Sequence, residues 1–445
     1  MRVALFVVVL VSIARIQYVF PFLAPFRLAL VSLAVATGFA VLSPKAVAWK
    51  NLFSTWVGVA LAVYGLQTIV SAFFGISLGN SATYLIEEFS RTLVATLIFL
   101  AGIRVVQDLW FFMWAYVLSM GVWVYLAFFR FETSSQGSQA ERLGNLYTFD
   151  ANDLGVVLLM GLPFVFMLLP ATGRRGRMAL WGIVLGVVGT LALTGSRGAF
   201  VGVAVLGTFM LFTLKEIETW KRIAAVVGAV VVLGVAAPSG YWTQMSTLLD
   251  PSDDYNVTEV DGRVQIFKRG LTYIADHPVF GLGPENFGRA EIENPAKRAL
   301  LPPGKGIKMV APHNTWLQVT AELGLIGLAI WLYILGRGFF QSYGFRRRLP
   351  KRWKHGTQEE RFLYATGYFF PVSFLGFAVP STFVSFAYAA PPFLLLAYYG
   401  AYLRLVEERL KQERRRAKAS RRGRGSASGS LPESSGSPGA LITPY

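Results

Sequence analysis

A histidine, two arginines and a few carboxylates of this chain stand at the ends of long apolar runs, where side chains meet water and membrane together. His313 lies in "APHNTW", Ala311–Trp316, directly before one such run. An imidazole titrates near neutrality and can take a proton from a hydroxyl, so His313 is a candidate general base. Pro312 should end the preceding segment and Asn314 should cap the helix that follows. The plainer reading is a capping or interfacial histidine, with Trp316 as a membrane-interface anchor. Arg197 lies in "LTGSRGAF", Leu193–Phe200, between two apolar runs. Gly195 and Gly198 permit backbone geometry closed to other residues. The turn, with Ser196, leads into a helix starting near Ala199. The first amides of such a helix are unpaired and its dipole end is positive, so with Arg197 they form an anion site. The plainer reading is a tight hairpin whose arginine reaches lipid phosphate.

Other groups are less specific. "DGRVQIF", Asp261–Phe267, adds Arg263. "FDANDLG", Phe149–Gly155, places Asp150, Asn152 and Asp153 at another helix start, where capping alone would account for them. "DHPVFGLGPENF", Asp276–Phe287, carries Glu285 and Asn286 and is expected to be a surface turn. Its glycines do not fit a dinucleotide fingerprint and no strand precedes them. Glu322 stands about two turns inside an apolar run, and Arg91 with Glu87 and Glu88 in another. Intramembrane charges default to function, although Glu87 and Arg91, spaced i,i+4, would neutralise each other.

The elements that must hold these groups are membrane helices. The 445 residues are 54% hydrophobic and 15% charged, and the mean hydropathy of +0.49 exceeds what a soluble surface tolerates. Apolar runs of spanning length number about twelve: 3–20, 25–42, 52–77, 85–103, 108–129, 153–171, 178–194, 199–214, 221–237, 315–336, 363–383 and 385–404. The first is expected to be an anchor helix rather than a removed signal peptide, since no small-residue cleavage pattern follows it. The net charge of +17 raises nucleic acid as a partner. The basic residues, however, fall in short connectors and in the tail, which membrane topology explains, so no nucleic acid is expected. "GRRGR" (Gly173–Arg177), "KEIETWKR" (Lys215–Arg222), "RRRLPKRWK" (Arg346–Lys354) and the tail from Arg404 fall on one side, which should be the cytoplasm, with both termini. Segment 130–150, the "GSRG" turn and the long stretch 238–312 are then outside. The outer stretch should hold short helices, because "FKRGLTYIADHP" is apolar at helical spacing. Residues 411–445 turn from basic to Ser/Gly/Pro-rich and should not order themselves, the basic half lying on anionic lipid. With no cysteine and only His277, His313 and His355, no metal site is expected, and no cofactor.

In their order and spacing, "FDANDLG", "LTGSRGAF", "DGRVQIF", "DHPVFGLGPENF" and "APHNTWLQVTAELGLIG" resemble the O-antigen ligase and polymerase superfamily of bacterial envelope membrane proteins. The resemblance is densest over 149–327. It implies an all-α, GT-C-like bundle of about twelve helices over 1–410 in the bacterial inner membrane, its site facing the periplasm. The implied activity moves a glycan from undecaprenyl diphosphate to an acceptor hydroxyl, without nucleotide sugar or metal. His313 would activate the acceptor; Arg197 and Arg263 would hold the diphosphate. Gly195, Ser196, Gly198, Asn314, Asn152, Asp153 and Glu322 would line the substrate site. The acceptor would be lipid A-core for a ligase or the next lipid-linked repeat for a polymerase, with a flippase and a chain-length regulator as further partners. Two other classes stay open: a transporter using Glu87, Glu88, Arg91 and Glu322, and a non-catalytic scaffold of a polysaccharide assembly complex. Against a transporter, no internal repeat and no matching pair of interrupted helices is visible.

Overall fold

The computed structural model describes residues 1–43, 47–134, 141–144, 146–147, 149–250, 257, 259–300 and 306–427, the last eight by backbone alone. Parts of segments 130–150 and 238–312 and the tail 428–445 therefore lie outside the described residues. The described chain is all-α apart from one two-residue antiparallel pair, Thr133–Ser134 with Arg142–Leu143. Among the described residues, seven helices are long and apolar enough to cross a membrane: Trp56–Phe74, Val106–Phe129, Ala151–Ala171, Arg174–Leu193, Thr219–Ala236, Thr315–Arg348 and Gln358–Phe383. Three shorter apolar helical segments add to them, Arg2–Ala14, Leu28–Leu42 and Arg197–Thr213. The helix Ser90–Gly102 and the long helix Ala390–Ala427 complete the set.

Burial sorts these helices. Ala151–Leu168 and Gln358–Ala378 pack against each other at the centre, and 78% of the apolar stretch of each span is buried. Gly376 makes that contact close, because a Cβ there would meet the backbone of Leu159 and Met160. Thr219–Ala236 is only 6% buried, and an apolar helix that protein barely covers is one that faces lipid. In water such a face would be a liability. In a bilayer it costs nothing.

Two interruptions differ from the expected unbroken spans. The first run ends at Ala14 in a π-helical turn; Arg15 takes left-handed backbone angles (φ 54°, ψ 37°), and a short helix, Ile16–Val19, follows. The break turns an arginine away from lipid and onto the Phe149 ring, 4.6 Å from its centroid. The second lies in Thr315–Phe345, where Gly324 leaves helical geometry (φ 70°, ψ −173°). Backbone groups freed at membrane depth must find protein partners. Here the outer stretch and a neighbouring helix supply them. Leu282 N–H donates to Ala321 O at 2.8 Å, Gly283 N–H to Glu322 O at 2.9 Å, and the Gln67 amide to Leu323 O at 3.1 Å.

The expectation for "DHPVFGLGPENF" is therefore corrected. It is no surface turn: Gly281 through Pro284, Asn286 and Phe287 are buried, wedged into the break of the helix. Positive φ at Gly281 (73°) and its closeness to Glu322 and Gly324 leave no room for a Cβ. The short helices expected in the outer stretch are present as Tyr241–Ser246, Arg263–Asp276, Phe287–Glu293 and Pro295–Ala299. The C-terminal helix runs on to Ala427, through the first part of a segment expected to lack order after Lys411.

Candidate functional site

The start of helix Ala151–Leu168 is the hub of the site. Asp150 caps it, its Oδ1 accepting from Asn152 N–H at 2.7 Å and Asp153 N–H at 2.8 Å, while Asp153 Oδ2 accepts from Asp150 N–H at 3.0 Å. This reciprocal cap fixes both carboxylates at the helix mouth. Asn152, one residue inside, accepts at Oδ1 from the Ser196 hydroxyl at 2.7 Å. Ser196 in turn caps the helix Arg197–Thr213, its Oγ accepting from Ala199 N–H at 3.2 Å. The "GSRG" turn is thus tied to "FDANDLG" through a buried Asn–Ser pair.

The two glycines of that turn do different work. Gly195 takes positive φ (56°), as a reversal demands, and its carbonyl accepts from the Gln244 amide at 2.9 Å. Gly198 has no positive φ; a side chain there would collide with the Phe383 ring, so packing rather than ligand approach requires it. Arg197 donates from Nη1 to Thr247 Oγ1 at 2.8 Å, directly after the first short helix of the stretch 238–312.

His313 is held by its backbone. Its φ of 48° is left-handed, unusual for a residue with a Cβ. Its N–H donates to the Ser385 hydroxyl at 2.9 Å. Ser385 belongs to a strap, Val384–Ala387, stitched to the following helix. Thr315 Oγ1 donates to Val384 O at 2.8 Å and accepts from Phe386 N–H at 3.0 Å, and Gln318 Oε1 accepts from Ala387 N–H at 3.1 Å. Asn314 caps that helix as expected, accepting from Leu317 N–H at 3.0 Å. Strained backbone fixed from several sides is a frequent mark of functional positions.

The charges around His313 are those the sequence singled out. Burial holds its pKa below the ordinary imidazole value, the positive charge of Arg263 adds to that, and Asp150 pulls the other way. Near neutral pH the ring is therefore uncharged and able to accept a proton. Arg263 also bears electrostatically on Asp153. The fold brings together Asp150, Asn152, Asp153, Ser196, Arg263 and His313, which are spread over more than a third of the chain.

Beside this group lies a cavity of about 660 Å³. Pro312 and Ser385 line the edge next to His313, and Glu88, Arg91, Glu285 and Glu322 supply charge. Glu322 is buried, and its Oε1 accepts from Phe287 N–H at 3.2 Å, so it anchors an outer helix while facing the cavity. Arg91 pairs with Glu88 at 3.7 Å rather than with Glu87, a correction of one helical step. The pair is largely exposed and contributes little to stability. Among the described residues no cluster of three or more His, Cys, Asp or Glu side chains is arranged to hold a metal. The sequence reading passed over Arg15, which also lines the cavity. An arginine inside an apolar run was the available signal.

Comparison with known proteins places this geometry. A family model described as O-antigen ligase matches residues 181–332, a stretch that holds Arg197, Arg263, His313 and Glu322. An uncharacterized protein of Haemophilus influenzae is 25% identical over 169 residues, which is 36% of this chain and 41% of the relative. The match thus spans less than half of the relative's length. Over residues 181–332, about a third of its length, the chain matches the O-antigen ligase family, and that match supports a place in the O-antigen ligase and polymerase superfamily.

Proposed function

We propose that this protein is a glycosyltransferase of surface polysaccharide biosynthesis that moves a glycan from undecaprenyl diphosphate to an acceptor hydroxyl at the outer membrane face. In this reading the helices form a bundle of about twelve spans in the bacterial inner membrane. Both termini are cytoplasmic and residues 238–312 are periplasmic. The observation that carries the proposal is His313, its backbone held in left-handed geometry by Ser385 and its neighbour Pro312 lining a cavity, with burial and Arg263 keeping the ring neutral.

The step follows from those groups. An imidazole nitrogen of His313 takes the acceptor hydroxyl proton as the oxygen attacks the anomeric carbon. The bond from that carbon to the phosphate oxygen breaks, and its electron pair leaves with the diphosphate. A single displacement inverts the anomeric centre. Negative charge grows on the phosphate as the bond breaks, so arginines placed for it stabilise the transition state more than the ground state. Arg263, beside His313, is best placed for that. Arg197, hydrogen-bonded to Thr247, would act from the outer segment. General-base help of this kind contributes typically ~10²–10⁴-fold. The acceptor is lipid A-core or the next lipid-linked repeat unit, with a flippase and a chain-length regulator as working partners in the second case.

The test is chromosomal replacement of His313 by Asn, a residue that tolerates left-handed backbone angles, at matched protein level. Loss of surface polymer with carrier-linked glycan retained supports the reading. Long retained chains would indicate a ligase, and single repeats a polymerase. Unchanged polymer would refute the role of His313 as base.

A further inference from the structure

Arg15, one of the charges on the cavity wall, takes no part in the step above. Arg15 stands where the first apolar helix stops, in left-handed backbone geometry, with its guanidinium over the Phe149 ring. Its Nε is buried and donates to nothing among the described residues. No carboxylate among them pairs with it in an ion pair either. Tyr18, Asp153 and Glu88 act on it electrostatically but from a distance, so they balance its charge without using its donors.

Other buried cations of the molecule behave differently. Arg269 spends two donors on Glu291, at 2.8 and 2.6 Å, and a third on Val260 O at 3.0 Å. Lys297 reaches Asp261 at 2.8 Å and Glu291 at 3.2 Å. Arg404 donates to Ile103 O. A guanidinium offers five N–H donors in a fixed fork suited to phosphate, and leaving buried donors unmade is costly. Arg15 lines a cavity of about 660 Å³, within the usual size range of ligand sites. The same cavity is lined by Pro312 and by Ser385, the residue that holds the His313 amide. Phe149, which the Arg15 guanidinium covers, immediately precedes the Asp150 cap.

We propose that Arg15 is a binding residue of the substrate site, gripping the diphosphate of the lipid-linked donor from the N-terminal side of the cavity. The proposal rests on the glycosyltransferase reading and extends the site beyond the segment the family model matches. It also gives the helix break a purpose. An unbroken first helix would point residue 15 along a membrane span, whereas the left-handed turn brings it to Phe149 beside the hub.

Binding separates this proposal from the reading beneath it. The full-length protein in lipid nanodiscs is titrated with two probes, sugar-free undecaprenyl diphosphate and undecaprenol, for the unaltered chain and for Arg15→Gln, Arg15→Lys and Arg263→Gln. A charge-assisted hydrogen-bond set corresponds to about 10- to 100-fold in affinity. Arg15→Gln is expected to lose that much for the diphosphate and none for undecaprenol, with Arg15→Lys recovering part of the loss. Because neither probe carries a sugar, such a result assigns the anion to phosphate rather than to an acidic glycan. Diphosphate binding that is unchanged in Arg15→Gln but lost in Arg263→Gln overturns the role of Arg15 alone. Equal loss of both probes in the two Arg15 variants marks a structural support and also overturns it. An unaltered chain that prefers neither probe overturns the diphosphate site as a whole.

Discussion

The charges around Glu291 and those around His313 are built in opposite ways. Glu291 is fully buried, and both of its oxygens accept twice, from Arg269 and Tyr273 on one and from Arg269 and Lys297 on the other. Asn294 closes the set by donating to the Tyr273 hydroxyl at 2.8 Å. These bonds bind three short helices of the outer stretch to one another. Around His313 the backbone is what is bonded, through Ser385, while Arg263 and Asp150 act on the imidazole electrostatically. A charge cluster that consumes its own donors and acceptors is scaffold. One built around an imidazole that is fixed through its backbone is suited to a ligand.

The contrast is sharpened most by replacing each cluster's central residue. His313→Asn should lower the transfer rate by about 10²–10⁴-fold with little change in unfolding temperature, as read in a reconstituted assay with lipid-linked glycan. Glu291→Ala should do the reverse in kind. Removing one member of a buried ion-pair network leaves an uncompensated charge, which costs about 3–5 kcal/mol. Denaturant or thermal unfolding in detergent should reveal it, with transfer in the surviving folded fraction near normal.

A smaller effect tests the element that joins the two regions. Gly324→Ala puts a Cβ against Val279 and Phe280 at a residue with positive φ. It should loosen the "FGLG" wedge by about 1–3 kcal/mol, detectable as faster amide exchange at Leu282 and Gly283. Smaller again is Asp150→Ala, which removes a helix cap and should cost about 1 kcal/mol.

The pH dependence gives the finest cut. Arg263 lowers the His313 pKa, so Arg263→Gln should raise it. The base then stays protonated to higher pH, and the acid limb of the kcat/KM profile of the residual activity should move up. Glu291→Ala should leave that limb in place, because its cluster does not act on His313. Movement in both variants would erase the distinction between the two regions.

What the sequence made legible follows physical range. The caps Asp150 and Asn314 and the helical spacing in "FKRGLTYIADHP" are local signals, and each appears in the structure. Placing Arg263 and His313 in one site came from resemblance rather than from spacing, and their electrostatic coupling, with that of Asp150, arises only through packing. The burial of "FGLG" was illegible because its partners, Gly324 and Ser71, lie on two other helices. Gly198 was given a ligand-facing purpose for the same reason, as Phe383 is remote in sequence. Ser385 offered no motif at all. Arg15 was legible and overlooked, because reading the first run by hydropathy averages away a single charge.

The most direct measurement compares His313→Asn with Glu291→Ala in one preparation, recording unfolding temperature and the rate of glycan transfer from the lipid carrier for each. The account predicts a stable, inactive His313 variant and an unstable Glu291 variant whose folded fraction transfers normally. A His313 variant that transfers at the unaltered rate, or that unfolds as readily as the Glu291 variant, would contradict it.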